Sequence, residues 1–545
     1  MTQLPDPEAA HVLVDNHLSL EDAIQLVDGR LQVGLLDSAT ARCAAAHARL
    51  RRVIEEERHV YGITTGFGPL ANRLVGAEDG ATLQQNLVHH LATGVGPAFD
   101  WATGRAIVLC RLMSILQGVS GASEPAIQAL VGMLNGPLSP VMPCRGTVGA
   151  SGDLTPLAHM VLCFQGRGDF CLRDGRRISG SDGLAMMQLE PIDLAARDGL
   201  ALVNGTSAMT GVGLINTRRT AQAIDWAIAL TAAMAEVQGG RVEAWHPAFA
   251  ALRPHPRQAA AANLLRARVT GSTRVERTPL ADRCLTGIGP VTEEGIGQDA
   301  YTLRCAPQVI GAVWDTADWH SRIVATELCS ATDNPVFPLH SAAEKEDAMD
   351  PEMPLVLHGG NFMGQHVGLA SDALAQAVTV LAGLAERQVA RLTDERLNRG
   401  LPAFLHRGPA GLNSGMMGAQ VTATALLAEM RSIGPASVHS ISTNGANQDV
   451  VSMGTIAARL LGQKLGLLTQ IHAILALCVA QSIDILDSRS DLPDGREAGL
   501  SDNARTLHNL IRGKSAALLE DRPLGRDIET LAATMARYAP PKLRR

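Results

Sequence analysis

Four long stretches of this chain, residues 206–238, 307–331, 361–398 and 451–486, are rich in Ala, Leu, Ile and Met, contain few prolines, and repeat apolar residues at spacings of three and four. That spacing stacks side chains on one face of an α-helix, and the residue types have high helix propensity. The chain is therefore expected to be mainly α, with a central bundle of long helices. Residues 465–483 are apolar nearly all round, so that helix must be enclosed by others. This favours an oligomer, although the central helix of a monomer would have the same pattern.

The first 200 residues are different in kind. Shorter helical segments are interrupted by Gly-rich stretches at 61–68, 94–97 and 146–152, where tight backbone turns are expected. A length of 545 residues exceeds what one compact core usually organises. Two regions are expected: 1–200, carrying the chemistry, and 201–545, a long-helix bundle with a C-terminal helical region. Residues 342–354, with Glu344, Lys345, Glu346, Asp347, Asp350 and Glu352, read as a charged surface loop.

Composition excludes several classes of partner. A net charge of −7 offers no basic face for nucleic acid or an anionic membrane. A membrane span is disfavoured because Arg218, Arg219, Asp225, His472 and Gln481 interrupt the apolar runs. The start, Met1-Thr2-Gln3-Leu4-Pro5-Asp6, lacks the basic and apolar regions of a secretory signal. The nine cysteines show no CxxC and no framework spacing, so they read as reduced thiols of a cytoplasmic protein. No metal site is expected, since His and Cys do not cluster as ligands do. Pyridoxal phosphate is not expected either: none of the four lysines (345, 464, 514 and 542) lies in a Gly-rich phosphate-binding context.

The most informative segment is Gly146-Thr147-Val148-Gly149-Ala150-Ser151-Gly152-Asp153-Leu154-Thr155-Pro156-Leu157. Read plainly, it is a loop entering a helix, with Asp153 or Thr155 as cap and Pro156 in the first turn. It also has a chemical potential of its own. In a compressed loop the Gly152 nitrogen can attack the Ala150 carbonyl, and loss of two waters, one from the Ser151 hydroxyl, leaves a ring with an exocyclic methylene. Only a residue without Cβ permits that approach.

With Gly149-Ala150-Ser151-Gly152-Asp153-Leu154, the chain resembles the aromatic amino acid ammonia-lyases that carry 4-methylideneimidazole-5-one (MIO). Further blocks agree in the same order: Tyr61-Gly62-Ile63-Thr64-Thr65-Gly66-Phe67-Gly68, Leu202-Val203-Asn204-Gly205-Thr206, Gln298-Asp299-Ala300-Tyr301-Thr302-Leu303-Arg304, His358-Gly359-Gly360-Asn361-Phe362 and Asn444-Gly445-Ala446-Asn447-Gln448-Asp449. The similarity covers nearly the whole chain.

The resemblance implies an MIO formed from Ala150, Ser151 and Gly152, and helical homotetramers whose active sites draw on more than one subunit. It makes Tyr61 the base that removes the β-proton, a role that needs neighbouring cations or hydrogen-bond donors to support a phenolate. Arg304 would hold the substrate carboxylate with its planar fork. Tyr301 would contact the cofactor ring or the transferring proton, Asn204 the cofactor oxygen, and Gln298 the amino-acid end of the substrate. Phe362 would be an apolar wall, although any Phe also reads as core. Asn334 would assist the carboxylate, although an Asn-Pro turn explains it equally well. Asn444, Asn447 and Gln448 fall in the substrate-binding stretch, which has a Glu in histidine-specific relatives and none here.

Two adjacent residues, corresponding to His90 and Leu91, read the substrate ring in this family. Tyrosine-preferring members have His-Leu, phenylalanine-preferring members commonly Phe-Leu, and histidine-preferring members Ser-His. On a helix His89 and His90 would point about 100° apart, so at most one faces a given pocket. The expected reaction is L-tyrosine to trans-4-coumarate and ammonia. The rivals are phenylalanine or histidine ammonia-lyase, tyrosine 2,3-aminomutase and, from another class, an inactive helical scaffold.

Overall fold

The computed structural model describes residues 10–282, 297–339, 354–488 and 499–543. Of the charged stretch 342–354 only Pro354 is among them, and the N-terminal hexapeptide and Cys284 also lie outside.

The four long apolar stretches are helices: Ser207–Val237, Ala306–Leu328, Gln365–Thr393 and Gly454–Asp487. The third is shorter than its apolar pattern at both ends. It begins after the glycines at 359, 360 and 364, and beyond Thr393 the Asn398 side chain donates to the Leu392 carbonyl at 3.2 Å, satisfying a terminal acceptor. Every residue from 471 to 483 is buried, and this single chain supplies the burial. Two of these helices, Gln365–Thr393 and Gly454–Asp487, are long and apolar enough to cross a membrane; 61% and 78% of their most apolar windows are buried in protein.

The chain forms two compact units, each gathered from three separated stretches. The first comprises Met1–Thr217, His320–Asp372 and Pro435–Leu461, and the second Arg218–Trp319, Ala373–Gly434 and Gly462–Arg545. Most of these boundaries fall inside long helices, where composition cannot mark them; the sequence suggested two consecutive regions, 1–200 and 201–545.

The first unit holds what little sheet is described. His11–Val14 pairs in parallel with Gln32–Leu35, Val95–Ala98 antiparallel with Pro143–Arg145, and Asp169–Cys171 lies between Ser139–Pro140 and Arg177–Ser179. Its apolar core includes the helix Trp101–Ile115, of which every residue but the half-buried Ala102 is buried. Burial pushes the Cys163 thiol there up to about 12, so it stays protonated and packs as a small apolar group.

In the second unit, buried polar side chains join the long helices to later segments. Gln481 donates to the Leu518 carbonyl at 2.7 Å, Trp226 to the Tyr538 carbonyl at 2.9 Å, and Glu236 accepts from the Ser501 hydroxyl and amide, each at 2.6 Å.

Candidate active site

Three helices that pack on one another, Gly80–Leu91, Leu154–Phe164 and Asp198–Val203, bring their ends together in the first unit. The first carries His90 and Leu91 on its last turn. The second begins just after the Ala150-Ser151-Gly152 tripeptide, and the third ends at Asn204 and Gly205. Strand pairing ties the first to the second: Val95 lies opposite Arg145, immediately before Gly146. The buried Gln84 adds the Tyr61 loop, donating to the Gly62 carbonyl at 3.0 Å and accepting from the Leu200 amide at 2.9 Å.

The tripeptide folds back on itself. Ala150 bridges to Gly152, and Gly152 bridges to Gly205. Gly152 has a φ of +69°, and a Cβ there would collide with the Gly205 backbone, so only glycine fits. The Gly205 amide donates to the Ser151 carbonyl at 3.3 Å, the Gly205 carbonyl accepts from the Asp153 amide at 2.7 Å, and the Thr147 hydroxyl donates to the Gly152 carbonyl at 3.3 Å. Surrounding structure thus over-determines a compressed loop, as closure from the Gly152 nitrogen to the Ala150 carbonyl requires. The residues present fit the ring that the resemblance implies.

Asp153 does not cap the helix it precedes, contrary to the plain loop reading. Its carboxylate is fully buried and accepts from the Met209 amide at 2.7 Å and from the Thr455 hydroxyl, so it caps the Ser207–Val237 helix. Burial pushes its pKa up to about 6, against the pull of these hydrogen bonds.

A cavity of about 1000 Å³ opens beside the tripeptide. Its walls include Tyr61, His90, Leu91, Ala150, Ser151, Asn204, Asn334, Phe362, Asn444, Asn447 and Gln448. The half-buried Tyr61 accepts the Gly68 amide on its phenol oxygen at 3.0 Å, packs edge-on against Phe67, and donates its own amide to His358 Nε2 at 3.2 Å. Burial, with lesser contributions from His59 and Arg197, lowers the His358 pKa and keeps that nitrogen an acceptor.

Only one histidine of the adjacent pair reaches the cavity. His90 Nδ1 lies 3.0 Å from the Asn86 carbonyl and its ring lines the cavity wall. His89 turns away, its Nε2 lying 2.7 Å from Gln85 Nε2 and 3.1 Å from Arg167 Nη1. In the 443–448 segment, Asn444, Gly445 and Ala446 take positive φ values of 55°, 63° and 63°, while Thr443 pairs antiparallel with Gln448. That reversal brings Asn444, Asn447 and Gln448 to the cavity, with Gln448 Nε2 donating to the Ser151 hydroxyl at 3.4 Å.

Beneath Asn204 lies a charged layer that no local sequence pattern announced. Arg197 grips Asp333, and the Asn204 side-chain nitrogen donates to Asp333 Oδ1 at 3.0 Å and to the Asn334 carbonyl at 2.8 Å. The donor to the Ser151 carbonyl is therefore Gly205 N–H, while the Asn204 amide holds the 333–334 turn. Asn334 Oδ1 in turn accepts from the Gly359 amide at 2.7 Å. Asp333 and His358 each adjoin or fall within segments that the sequence singled out; a buried arginine such as Arg197 carries no signal short of its partner.

Gln298, Tyr301 and Arg304 belong to the second unit, and the cavity of the first is lined without them. Tyr301 and Arg304 share one helical turn, with the guanidinium carbon 4.7 Å from the ring centroid, and Tyr301 is 68% exposed.

A family model described as aromatic amino acid lyase matches residues 18–512 of the chain. A tyrosine ammonia-lyase of Cereibacter sphaeroides is 58% identical over 540 residues, covering 99% of this chain and 100% of the relative. A histidine ammonia-lyase of Symbiobacterium thermophilum is 38% identical, covering 95% of this chain and 94% of the relative. Among solved structures, the tyrosine aminomutase of Streptomyces globisporus superposes with a TM-score of 0.88 at 35% identity, covering 96% of this chain and 97% of that one.

Proposed function

Since this chain belongs to the aromatic amino acid lyase family, we propose that it removes ammonia from L-tyrosine to give trans-4-coumarate. It is a carbon-nitrogen lyase. The observation that carries the reading is the joint presence of Ser151, Tyr61 and His90 on one cavity, and the full-length similarity to a tyrosine ammonia-lyase supports the substrate.

Ala150, Ser151 and Gly152 would form the MIO, which supplies an electrophile for the departing amine. Tyr61 takes the β-proton; the Gly68 N–H aimed at its oxygen supports a negative charge there. His90 meets the substrate phenol, a group that would be buried without a partner against a Phe at a cost of roughly 1–3 kcal/mol. Leu91 and Phe362 bound the ring, while Asn334, Asn444, Asn447 and Gln448 provide polar contacts. Arg304 pairs with the carboxylate, with Tyr301 and Gln298 near the reacting end. In a homotetramer with shared active sites, these three are expected from a neighbouring copy. The enzyme is expected in the cytoplasm.

Incubation with tyrosine, phenylalanine and histidine, followed by separation of α,β-unsaturated acids from β-amino acids, tests the reading. 4-Coumarate as the main product supports it. Predominant β-tyrosine would make the chain an aminomutase, and preference for phenylalanine or histidine would overturn the substrate.

A further inference from the structure

Arg111 is wholly buried, on the helix Trp101–Ile115, and is paired with neutral groups. Its Nη1 donates to the Asn204 carbonyl and its Nη2 to the Ser114 hydroxyl at 2.8 Å, while Nε has no acceptor among the described residues. Asp333 acts on it through space, but that carboxylate is already held by both terminal nitrogens of Arg197. A buried cation with no carboxylate in contact among the described residues is costly to retain, and its position therefore calls for a use.

The carbonyl that Arg111 binds belongs to the Asn204–Gly205 peptide, and the N–H at the other end of the same peptide donates to the Ser151 carbonyl oxygen. We propose that Arg111 is an electrostatic positioning residue that polarises the Asn204–Gly205 peptide and strengthens the hydrogen bond from Gly205 N–H to Ser151 O. Withdrawal of electron density at the carbonyl end makes the N–H a better donor, as in any hydrogen-bonded chain in a low-dielectric interior. Space reinforces the arrangement: a Cβ on Gly205 would strike Arg111 Nη1 and Thr332, so guanidinium and peptide are held in contact. Burial lowers the Arg111 pKa only to about 10, which leaves the cation in place at neutral pH.

The consequence rests on the MIO reading above. Dehydration of Ser151 conjugates its side-chain carbon with its own carbonyl, so electron density arriving at that carbon ends on Ser151 O. A stronger donor to this oxygen makes the carbon a better acceptor of nucleophiles, independently of any substrate contact.

Borohydride tests this without turnover: hydride adds to the side-chain carbon and a solvent proton to the adjacent carbon, so modification raises the intact mass by two hydrogens. The rate would be measured for wild type, Arg111→Lys, Arg111→Gln and Ser114→Ala, after intact mass has shown the loss of two waters in each. Arg111→Gln should react at least about tenfold more slowly, Arg111→Lys within about threefold of wild type, and Ser114→Ala, which keeps the cation and the Asn204 contact, within about twofold. Equal rates for wild type and Arg111→Gln would overturn the proposal. So would equal slowing by Ser114→Ala, which would trace the effect to packing, or failure of both Arg111 variants to fold. A wild type with no missing water would sink the MIO reading itself, whereas unchanged variant rates would sink only the role of Arg111.

Discussion

Arg197 and Asp333 form two parallel hydrogen bonds of 2.8 and 2.9 Å with both side chains fully buried. Asp333 Oδ1 also accepts from Asn204 Nδ2 and from the Asn334 amide at 2.7 Å, so one carboxylate holds two segments of the cavity wall. Asp333→Ala would leave a buried guanidinium without its counter-charge, and breaking such a pair costs roughly 3–5 kcal/mol. A large loss of melting temperature is expected, with Arg197→Met, Asp333→Leu recovering part of it. A double variant no more stable than Asp333→Ala would argue against an unpaired charge as the cause.

Ser151→Ala should fold without forming the ring, because alanine has no hydroxyl to lose, and activity should fall by orders of magnitude. Gly152→Ala should also fail to close the ring and should be less stable, since its Cβ would meet the Gly205 backbone. Intact mass and the near-ultraviolet absorbance of the cofactor decide both. Near-normal turnover in Ser151→Ala would exclude the cofactor assignment.

Tyr61→Phe keeps the ring packed on Phe67 and removes the ionisable oxygen, so kcat should collapse while cofactor absorbance persists. Arg304→Lys keeps charge but loses the fork, and kcat/KM should drop steeply. Small, equal effects would put both residues outside the chemistry.

His90→Phe should shift the kcat/KM ratio from tyrosine towards phenylalanine by at least about tenfold, the equivalent of roughly 1.4 kcal/mol. His89→Phe should not, since His89 is turned towards Gln85 and Arg167. An unchanged ratio in His90→Phe would refute the assignment.

His320 is completely buried, and burial lowers its pKa from 6.5 to about 4. The unfolded chain therefore takes up the proton first: the stability contribution is complete above pH 6.5 and is lost as pH falls towards 4, by up to roughly 3 kcal/mol. His320→Asn should lack that part of the acid dependence. Melting temperatures between pH 7 and pH 4.5 check it, with the wild type expected to decline more steeply than the variant.

Local pattern carried the helices, because a period of three and four is set by the backbone within a few residues. It also separated His89 from His90, whose angle follows from the helical turn alone. The order of the motif blocks was likewise readable without coordinates. Long-range partners decided the remainder. Which histidine faces the cavity follows from where residues far along the chain, such as Ser151 and Asn444, place the cavity wall, and Asp153 caps the Ser207–Val237 helix, not its own, because Met209 and Thr455 enclose it. Arg197 meets Asp333 across 136 residues, and the collision that reserves position 152 for glycine comes from Gly205. Burial and counter-charge depend on groups brought close only by folding, so tertiary structure alone fixed them.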